Sequence, residues 1–229
     1  MNKRTLTIKN AFRITLPVMA GYVFLGLTFG LLLRASGFEW WVPVVMSAVI
    51  YSGALEFAAV PLLSAAFEPI SAFVLGILLS ARHLFYGIPM LKKFSGTGRA
   101  KPFLIFGLTD ETFSILSTTD VPEEAEPKAF YFWVTMFDFL YWTLGTALGA
   151  VLAEVITIDL QGLDFVLTAL FVVLFIEQLK TKEGLKSGLA GLIISAAVLI
   201  VFGTSVFVTL SMVLIIITLV GGRRVISRE

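Results

Sequence analysis

The chain has 229 residues, of which 58% are hydrophobic and 14% charged, with a net charge of +1 and a mean hydropathy of +0.94. Soluble domains are about 45–50% apolar and about 25% charged, so this composition excludes a soluble globular protein and indicates an integral membrane protein. The absence of cysteine excludes a disulfide framework and a thiolate metal site. No polar stretch is long enough to fold alone, so residues 1–229 are predicted to form a single transmembrane domain.

The first predicted span, at about 11–33, follows a basic N-terminal tail and contains Gly26 and Gly30. A GxxxG pair of this kind lets another helix approach closely. The second apolar run, 42–66, is interrupted at Ser52-Gly53 and carries an isolated acid, Glu56. A carboxylate within a bilayer is costly and requires a functional or structural reason.

The remaining apolar runs continue to the end of the chain and have the lengths of helices or helix fragments. They lie at about 70–91, 103–117, 128–152, 165–179, 189–202 and 206–221. Most of the 17 Lys and Arg residues fall in the N-terminal tail, 92–101, 180–186 and the C-terminal tail. The positive-inside rule places these four clusters in the cytoplasm, so both termini are predicted to be cytoplasmic and 119–128 external.

Placing the N-terminal tail and 92–101 on one side requires an even number of crossings between them. Three apolar runs lie in that interval, so one of them is predicted not to cross. The run 42–66 is the best candidate, because Ser52-Gly53 can turn a re-entrant hairpin that enters and leaves on the outer side. The counterpart in the second half of the chain is the run 165–179.

An internal repeat supports this arrangement. The spacing of Tyr22, Gly26 and Gly30 recurs in Tyr141, Gly145 and Gly149, and at nearly the same offset Glu56 falls on Glu177. The repeat halves are 11–118 and 128–222, each with three spans and one re-entrant or broken helix. Three crossings per half make the repeat inverted, which places a substrate site at the repeat interface. The alternative all-α polytopic fold has seven or eight simple spans.

Six ionisable residues lie inside the apolar runs, and all of them except Glu56 are candidates for a proton relay or a buried ion pair. They are Glu56, Arg82, His83, Asp110, Glu111 and Asp138. A charge at the bilayer centre costs about 2.5–3.5 kcal/mol on insertion scales, so these residues predict mutual pairing, a water-filled cavity or protonation. Arg82 needs an anionic partner, and Asp110 or Glu111 is the natural one. For Asp138, which has aromatic neighbours in sequence, a solvated interfacial position is an equal alternative.

The substrate site is predicted at the break in the second apolar run. A half-helix that begins at the break offers free N–H groups to a substrate carboxylate. Glu56 is a candidate for accepting the substrate ammonium or the coupling proton, and two aromatic residues are candidates for the apolar wall. The predicted substrate-binding residues are Tyr51, Ser52, Gly53, Glu56 and Phe57.

Three stretches resemble signatures of the AzlC/YgaZ/BrnF group, the large subunits of branched-chain amino acid exporters. They are Tyr-Ser-Gly-Ala-Leu-Glu-Phe at 51–57, Arg-His-Leu-Phe-Tyr-Gly at 82–87 and Phe-Gly-Leu-Thr-Asp-Glu-Thr-Phe at 106–113. The first departs from the family pattern, which usually has Gln at the position of Glu56. The resemblance implies export of leucine, isoleucine, valine or similar apolar amino acids, and a small, separate membrane subunit of the AzlD type.

The leading hypothesis is therefore a secondary transporter subunit in the cytoplasmic membrane, an antiporter coupled to a proton or ion gradient. The chain has no GxxxxGK[ST] motif for a nucleotide. The alternatives are a channel and an intramembrane enzyme that uses buried carboxylates such as Asp110 and Asp138. An enzyme is not predicted, because HExxH is absent and Ser52 has no GxSxG frame. The expected partners are the lipid bilayer, the small subunit and an amino acid, with no cofactor, metal or nucleic acid.

Overall fold

The computed structural model describes residues 3–64, 69–155 and 182–203, together with scattered residues between 172 and 179 and between 207 and 218. Within these ranges every regular element is helical, which confirms the all-α prediction. The chain divides into two compact units, Met1–Leu160 and Gln161–Glu229. The functional residues described below all lie in the first unit.

The helices of the first unit include long spans and short paired segments. Their bounds are α1 Lys3–Ala35, α2 Trp41–Val49, α3 Gly53–Ser64, α4 Pro69–Lys93, α5 Lys101–Phe106, α6 Asp110–Thr118 and α7 Pro127–Leu152, with a 3₁₀ turn at Gly98–Ala100. In the second unit, α8 is Lys182–Phe202. By length and composition, α1, α7 and the Leu185–Phe202 part of α8 can cross a membrane.

Helices α1 and α7 pack along their length and run in the same direction. At one end the Glu126 N–H donates to Thr7 Oγ1 over 3.1 Å. At the other end Arg34 Nη2 lies 3.5 Å from Glu154 Oε1. We call the end of the first unit that holds Thr7 the basal end and the end that holds Arg34 the distal end.

Glycines allow this close approach. A Cβ on Gly26 would lie 2.7 Å from the carbonyl oxygen of Trp142, and one on Gly145 would lie 2.8 Å from that of Val23. The predicted role of the GxxxG pair in helix packing is therefore confirmed, and its partner helix carries the repeat copy. Corresponding spans of an inverted repeat run antiparallel. The inverted arrangement is wrong for α1 and α7, whereas Glu177, the counterpart of Glu56, lies outside the described residues.

The predicted break in the second apolar run is present, and α2 and α3 form a helical hairpin. Tyr51, in the link between them, has a φ of +46°, a left-handed conformation that is uncommon for a residue with a side chain. Its ring packs on Phe139 in the middle of α7 at 5.1 Å. Further along, the ring of Phe57 packs 5.5 Å from that of Phe29, toward the distal end. The α2–α3 pair thus starts beside the distal end of α1, reaches the middle of α7 and turns back toward the distal end.

Helices α5 and α6 form a second hairpin, from the opposite end. The break that the sequence predicts at Gly107-Leu108-Thr109 separates them. Because Lys93 Nζ at the end of α4 donates to the Leu116 carbonyl near the end of α6, α6 returns toward the basal end. The run 103–117 was expected to continue to the other side of the membrane, and this expectation is wrong.

An apolar cluster lies at the basal end. It consists of Ala11, Met90, Phe94, Leu104, Leu108, Leu116, Ala125, Phe130 and Val134. The cluster joins the starts of α1 and α7 to the end of α4 and to the second hairpin. The loop 92–101 therefore lies at the same end as the N-terminal tail, as predicted. The acidic loop 119–128 lies there as well, so its predicted placement on the opposite side is wrong, because α5 and α6 make no net crossing.

Candidate functional site

The tips of the two hairpins meet between α1 and α7. The ring of Tyr51, at the first tip, lies 5.9 Å from that of Phe106, at the second. A Cβ on Gly53 would lie 2.9 Å from the Trp142 ring, so only glycine lets the first tip approach α7 this closely. We call the polar residues gathered here the central site: Tyr22, Tyr51, Ser52, Glu56, Thr109, Glu111, Thr112, Asp138 and Trp142.

Glu56 is fully buried and is held by groups of the protein itself. Its Oε1 accepts the Ser52 N–H over 3.0 Å. The indole Nε1–H of Trp142 lies 3.2 Å from Oε1 and 3.1 Å from Oε2. The carboxylate therefore satisfies the Ser52 N–H just before α3, and its contact with Trp142 fixes the first tip to α7.

A continuous chain of hydroxyl groups connects Glu111 to Asp138. Tyr22 Oη lies 2.7 Å from Glu111 Oε2 and 2.6 Å from Thr109 Oγ1. Thr109 Oγ1 lies 3.0 Å from Thr112 Oγ1, and Thr112 Oγ1 lies 2.7 Å from Asp138 Oδ2. We call these five residues the hydroxyl chain. Its members come from α1, the second hairpin tip and α7.

Asp138 lies in the interior. Its exposed fraction is 0%, so the alternative of a solvated, interfacial position is wrong. Three buried oxygens of the central site have no hydrogen-bond partner among the described residues: Tyr51 Oη, Ser52 Oγ and Asp138 Oδ1. Buried polar atoms are usually satisfied, so orphaned oxygens at one place are candidates for contacts with a ligand.

The structure brings together several of the residues predicted from the sequence. Glu111 and Asp138 share the hydroxyl chain, and the stretch from Tyr51 to Glu56 forms the first tip. The ring of Phe57 instead packs on that of Phe29 and is not a member of the central site. Among the described residues, no cluster of His, Asp and Glu could hold a metal ion.

Of the other predicted residues, two lie on α4 and one lies on α6. The side chain of Arg82 lies outside the described part of the structure, so its pairing with Asp110 or Glu111 stays a prediction. Asp110 is half-buried in the first turn of α6. His83 is half-buried, and its Nδ1 lies 3.2 Å from the Ser80 carbonyl oxygen of its own helix.

Sequence analysis missed the uncharged members of the central site. Thr109 caps α6 by accepting the Thr112 N–H over 3.2 Å, a short-range pattern that the sequence Thr-Asp-Glu-Thr contains. Tyr22 stands in the repeat motif beside Gly26, where its hydroxyl had no evident partner. Trp142 is one of the aromatic neighbours of Asp138 in sequence, and nothing in the sequence indicates its contact with Glu56.

Known proteins resemble this chain over most of its length. The branched-chain amino acid transport protein AzlC of Bacillus subtilis is 43% identical over 219 residues, which cover 94% of this chain and 86% of that protein. An uncharacterized membrane protein of Helicobacter pylori is 35% identical, with 96% of each chain covered. The inner membrane protein YgaZ of Escherichia coli is 27% identical, with 78% of this chain and 76% of that protein covered.

No solved structure matches the chain. The family model described as AzlC protein matches residues 17–156, which include both hairpins and all members of the central site. The chain therefore belongs to the AzlC family.

Proposed function

We propose that this protein is the large subunit of a secondary transporter that exports branched-chain or similar apolar amino acids in exchange for protons or another ion. The observation that carries the proposal is the meeting of two opposed re-entrant hairpins around buried carboxylates. Non-helical backbone at membrane depth is tolerated where it is buried in protein or lines a cavity. Interrupted helices near the midplane are the usual substrate sites of secondary transporters.

The substrate site consists of the first hairpin tip and the facing surface of α7. Asp138 Oδ1 is the acceptor proposed for the substrate ammonium, because both oxygens of Glu56 already have donors. Tyr51 Oη and Ser52 Oγ supply further polar contacts. The rings of Tyr51, Phe106 and Phe139 pack on one another at the first tip, and this aromatic group suits an apolar side chain.

The similarity to known proteins supports the substrate class and the location. The Bacillus subtilis relative is named as a branched-chain amino acid transport protein, and the other two are named as membrane proteins. We place the chain in the cytoplasmic membrane with both termini in the cytoplasm, from the positions of its Lys and Arg clusters. The small AzlD-like subunit is proposed from the resemblance of the motifs in this chain to those of the AzlC/YgaZ/BrnF group.

The test is transport into proteoliposomes that contain the chain with and without the AzlD-like subunit. Labelled leucine, isoleucine and valine should show counterflow, and lysine should not, because the proposed wall is apolar. Counterflow separates a carrier from a channel, and product analysis would reveal an enzyme. The absence of counterflow for every apolar amino acid tested, with the subunit present, would refute the proposal.

Tyr51→Phe provides a focused variant for the substrate site. The tyrosine hydroxyl has no protein partner among the described residues, so its removal should leave thermal stability unchanged. Losing one hydrogen bond to the substrate, about 0.5–1.5 kcal/mol, should raise KM by roughly two- to tenfold. Tyr131→Phe, which removes a tyrosine hydroxyl from the basal part of α7 outside the central site, is the control. An unchanged KM for Tyr51→Phe would remove Tyr51 from the site.

A further inference from the structure

The hydroxyl chain has the composition of a proton-conducting path. It contains four oxygen–oxygen contacts, of 2.7, 2.6, 3.0 and 2.7 Å, from Glu111 to Asp138. Each contact needs one hydrogen. The three hydroxyl groups supply three hydrogens, so the fourth must come from a carboxyl group at one end of the chain or the other.

Two arrangements of hydrogens satisfy every contact. With the extra proton on Glu111, each hydroxyl donates toward Asp138. With the proton on Asp138, each hydroxyl donates toward Glu111. Thr109 fits both arrangements, because its oxygen also accepts the Thr112 N–H and needs only one further donor in either case. The two states therefore differ in the direction of the hydroxyls and need no movement of heavy atoms.

The two ends of the hydroxyl chain differ in their exposure to solvent. Glu111 is exposed at the second hairpin tip, whereas Asp138 and Thr112 are fully buried. Within the part of the chain that the structure describes, no Lys or Arg forms an ion pair with either acid. Among the described residues, Tyr51 and Tyr141 interact electrostatically with Asp138, as Glu111 does. Asp110 adjoins Glu111 in sequence.

We propose that Tyr22, Thr109 and Thr112 conduct protons between the exposed carboxyl of Glu111 and the buried carboxylate of Asp138. Glu111 gives its proton to Tyr22 Oη, Tyr22 gives its own to Thr109 Oγ1, Thr109 to Thr112 Oγ1 and Thr112 to Asp138 Oδ2. Four O–H bonds break and four form, and one proton moves from Glu111 to Asp138. The reverse sequence returns it.

This proton route deepens the proposed function. Its role in exchange rests on that function, whereas the existence of the route does not. A proton that arrives at Oδ2 neutralises the carboxylate whose Oδ1 is proposed for the substrate ammonium. Proton and substrate would then compete for Asp138, which is a basis for exchange. The route itself is a property of the protein without substrate, so it can be tested even if the chain transports something else.

The direct test is hydrogen–deuterium exchange of the Asp138 carboxyl proton, followed by infrared spectroscopy of the full chain in lipid after a change to D₂O. The band is assigned by its loss in Asp138→Asn and is recorded at the pH where it is largest. Thr112→Val replaces the hydroxyl by a methyl group of similar size, and Tyr22→Phe removes the hydroxyl but keeps the ring. Each should slow exchange by about tenfold or more, since a link in the proton path is lost.

Matched variants separate conduction from packing. Thr112→Ser keeps the hydroxyl and should exchange as fast as the native protein. Thr135→Val removes an equally buried threonine hydroxyl of α7 that has no partner among the described residues, and should also leave the rate unchanged. In transport assays, Thr112→Val and Tyr22→Phe should lose flux driven by a pH gradient, whereas Thr135→Val should keep it.

Three results would overturn the route. One is the lack of any Asp138 carboxyl band between mildly acidic and mildly alkaline pH. Another is an exchange rate equal to that of the native protein in both Thr112→Val and Tyr22→Phe. The third is slow exchange in Thr112→Ser, which would make the threonine a packing residue. Absence of counterflow in the native protein would instead refute transport and leave the infrared result standing.

Discussion

Glu56 shows how an acid can be accommodated in an apolar run without a cation beside it. Both of its oxygens accept hydrogen bonds, from the Ser52 N–H and the Trp142 indole. A glutamine can keep its carbonyl oxygen at the Oε1 position, which accepts from both donors. We therefore expect Glu56→Gln to retain thermal stability and transport within about twofold.

Glu56→Leu is the informative comparison, because it leaves two buried donors without an acceptor. Each unsatisfied donor costs about 1–3 kcal/mol, so the midpoint of thermal unfolding in detergent should fall clearly. If Glu56→Gln folds normally but loses substrate affinity or its response to a pH gradient, the charge of Glu56 has the functional role that the sequence suggested. The family pattern with Gln at this position favours the structural role.

At the scale of residues, sequence analysis found the charged members of the site and missed the neutral ones. A lone Asp or Glu in an apolar run is conspicuous because a buried charge is costly. Tyr22, Thr112 and Trp142 are ordinary residues in membrane helices, and only the contacts between α1, α3, α6 and α7 give them a role. Their function depends on packing between distant segments, which spacing along one chain does not contain.

At the scale of elements, the packing of α1 on α7 provides a test with an internal control. A Cβ on Gly145 would lie 2.8 Å from the backbone oxygen of Val23, whereas one on Gly21 would meet nothing within 4 Å. Gly145→Ala should therefore force the helices apart and cost about 1–3 kcal/mol. Gly21→Ala should be neutral or slightly stabilising, because alanine favours helix.

Thermal unfolding of the two glycine variants in the same detergent measures the difference. Equal midpoints would mean that the α1–α7 contact is looser than the structure shows. Tyr22 and Trp142 belong to this same helix pair, so we also expect Gly145→Ala to impair transport.

The two hairpins illustrate which elements can be predicted from sequence. Both breaks were predictable, because glycine and small polar residues interrupt apolar runs at Ser52-Gly53 and at Gly107-Leu108-Thr109. Only the first was expected to turn back, from the count of crossings between two basic clusters. A helix break does not reveal whether the chain continues or reverses. For α5 and α6 the direction depends on contacts of the second half-helix, such as that of Leu116 with Lys93.

At the scale of the whole molecule, charge placed the N-terminal tail and the loop 92–101 correctly relative to each other and misplaced the acidic loop. The positive-inside rule counts Lys and Arg, and Asp and Glu contribute little to orientation. The acidic loop 119–128 was assigned to the opposite side only because the preceding apolar run was taken as a crossing. In the structure, Ala125 and Phe130 pack with Ala11 at the basal end, so the acidic loop and the N-terminal tail share one side.

Cysteine labelling can test this topology directly, because the native chain has no cysteine. Ser95 and Glu124 are exposed in the two basal loops, and Glu39 is exposed in the distal loop between α1 and α2. With an impermeant thiol reagent on intact cells, we expect Glu39→Cys to react, while Ser95→Cys and Glu124→Cys react only after the membrane is opened. Reaction of Glu124→Cys together with Glu39→Cys would show that α5 and α6 cross the membrane, and would contradict the second hairpin. Reaction of both basal cysteines in intact cells, with Glu39→Cys protected, would keep the hairpin and reverse the orientation, because the basal loops would then face outward against the positive-inside rule.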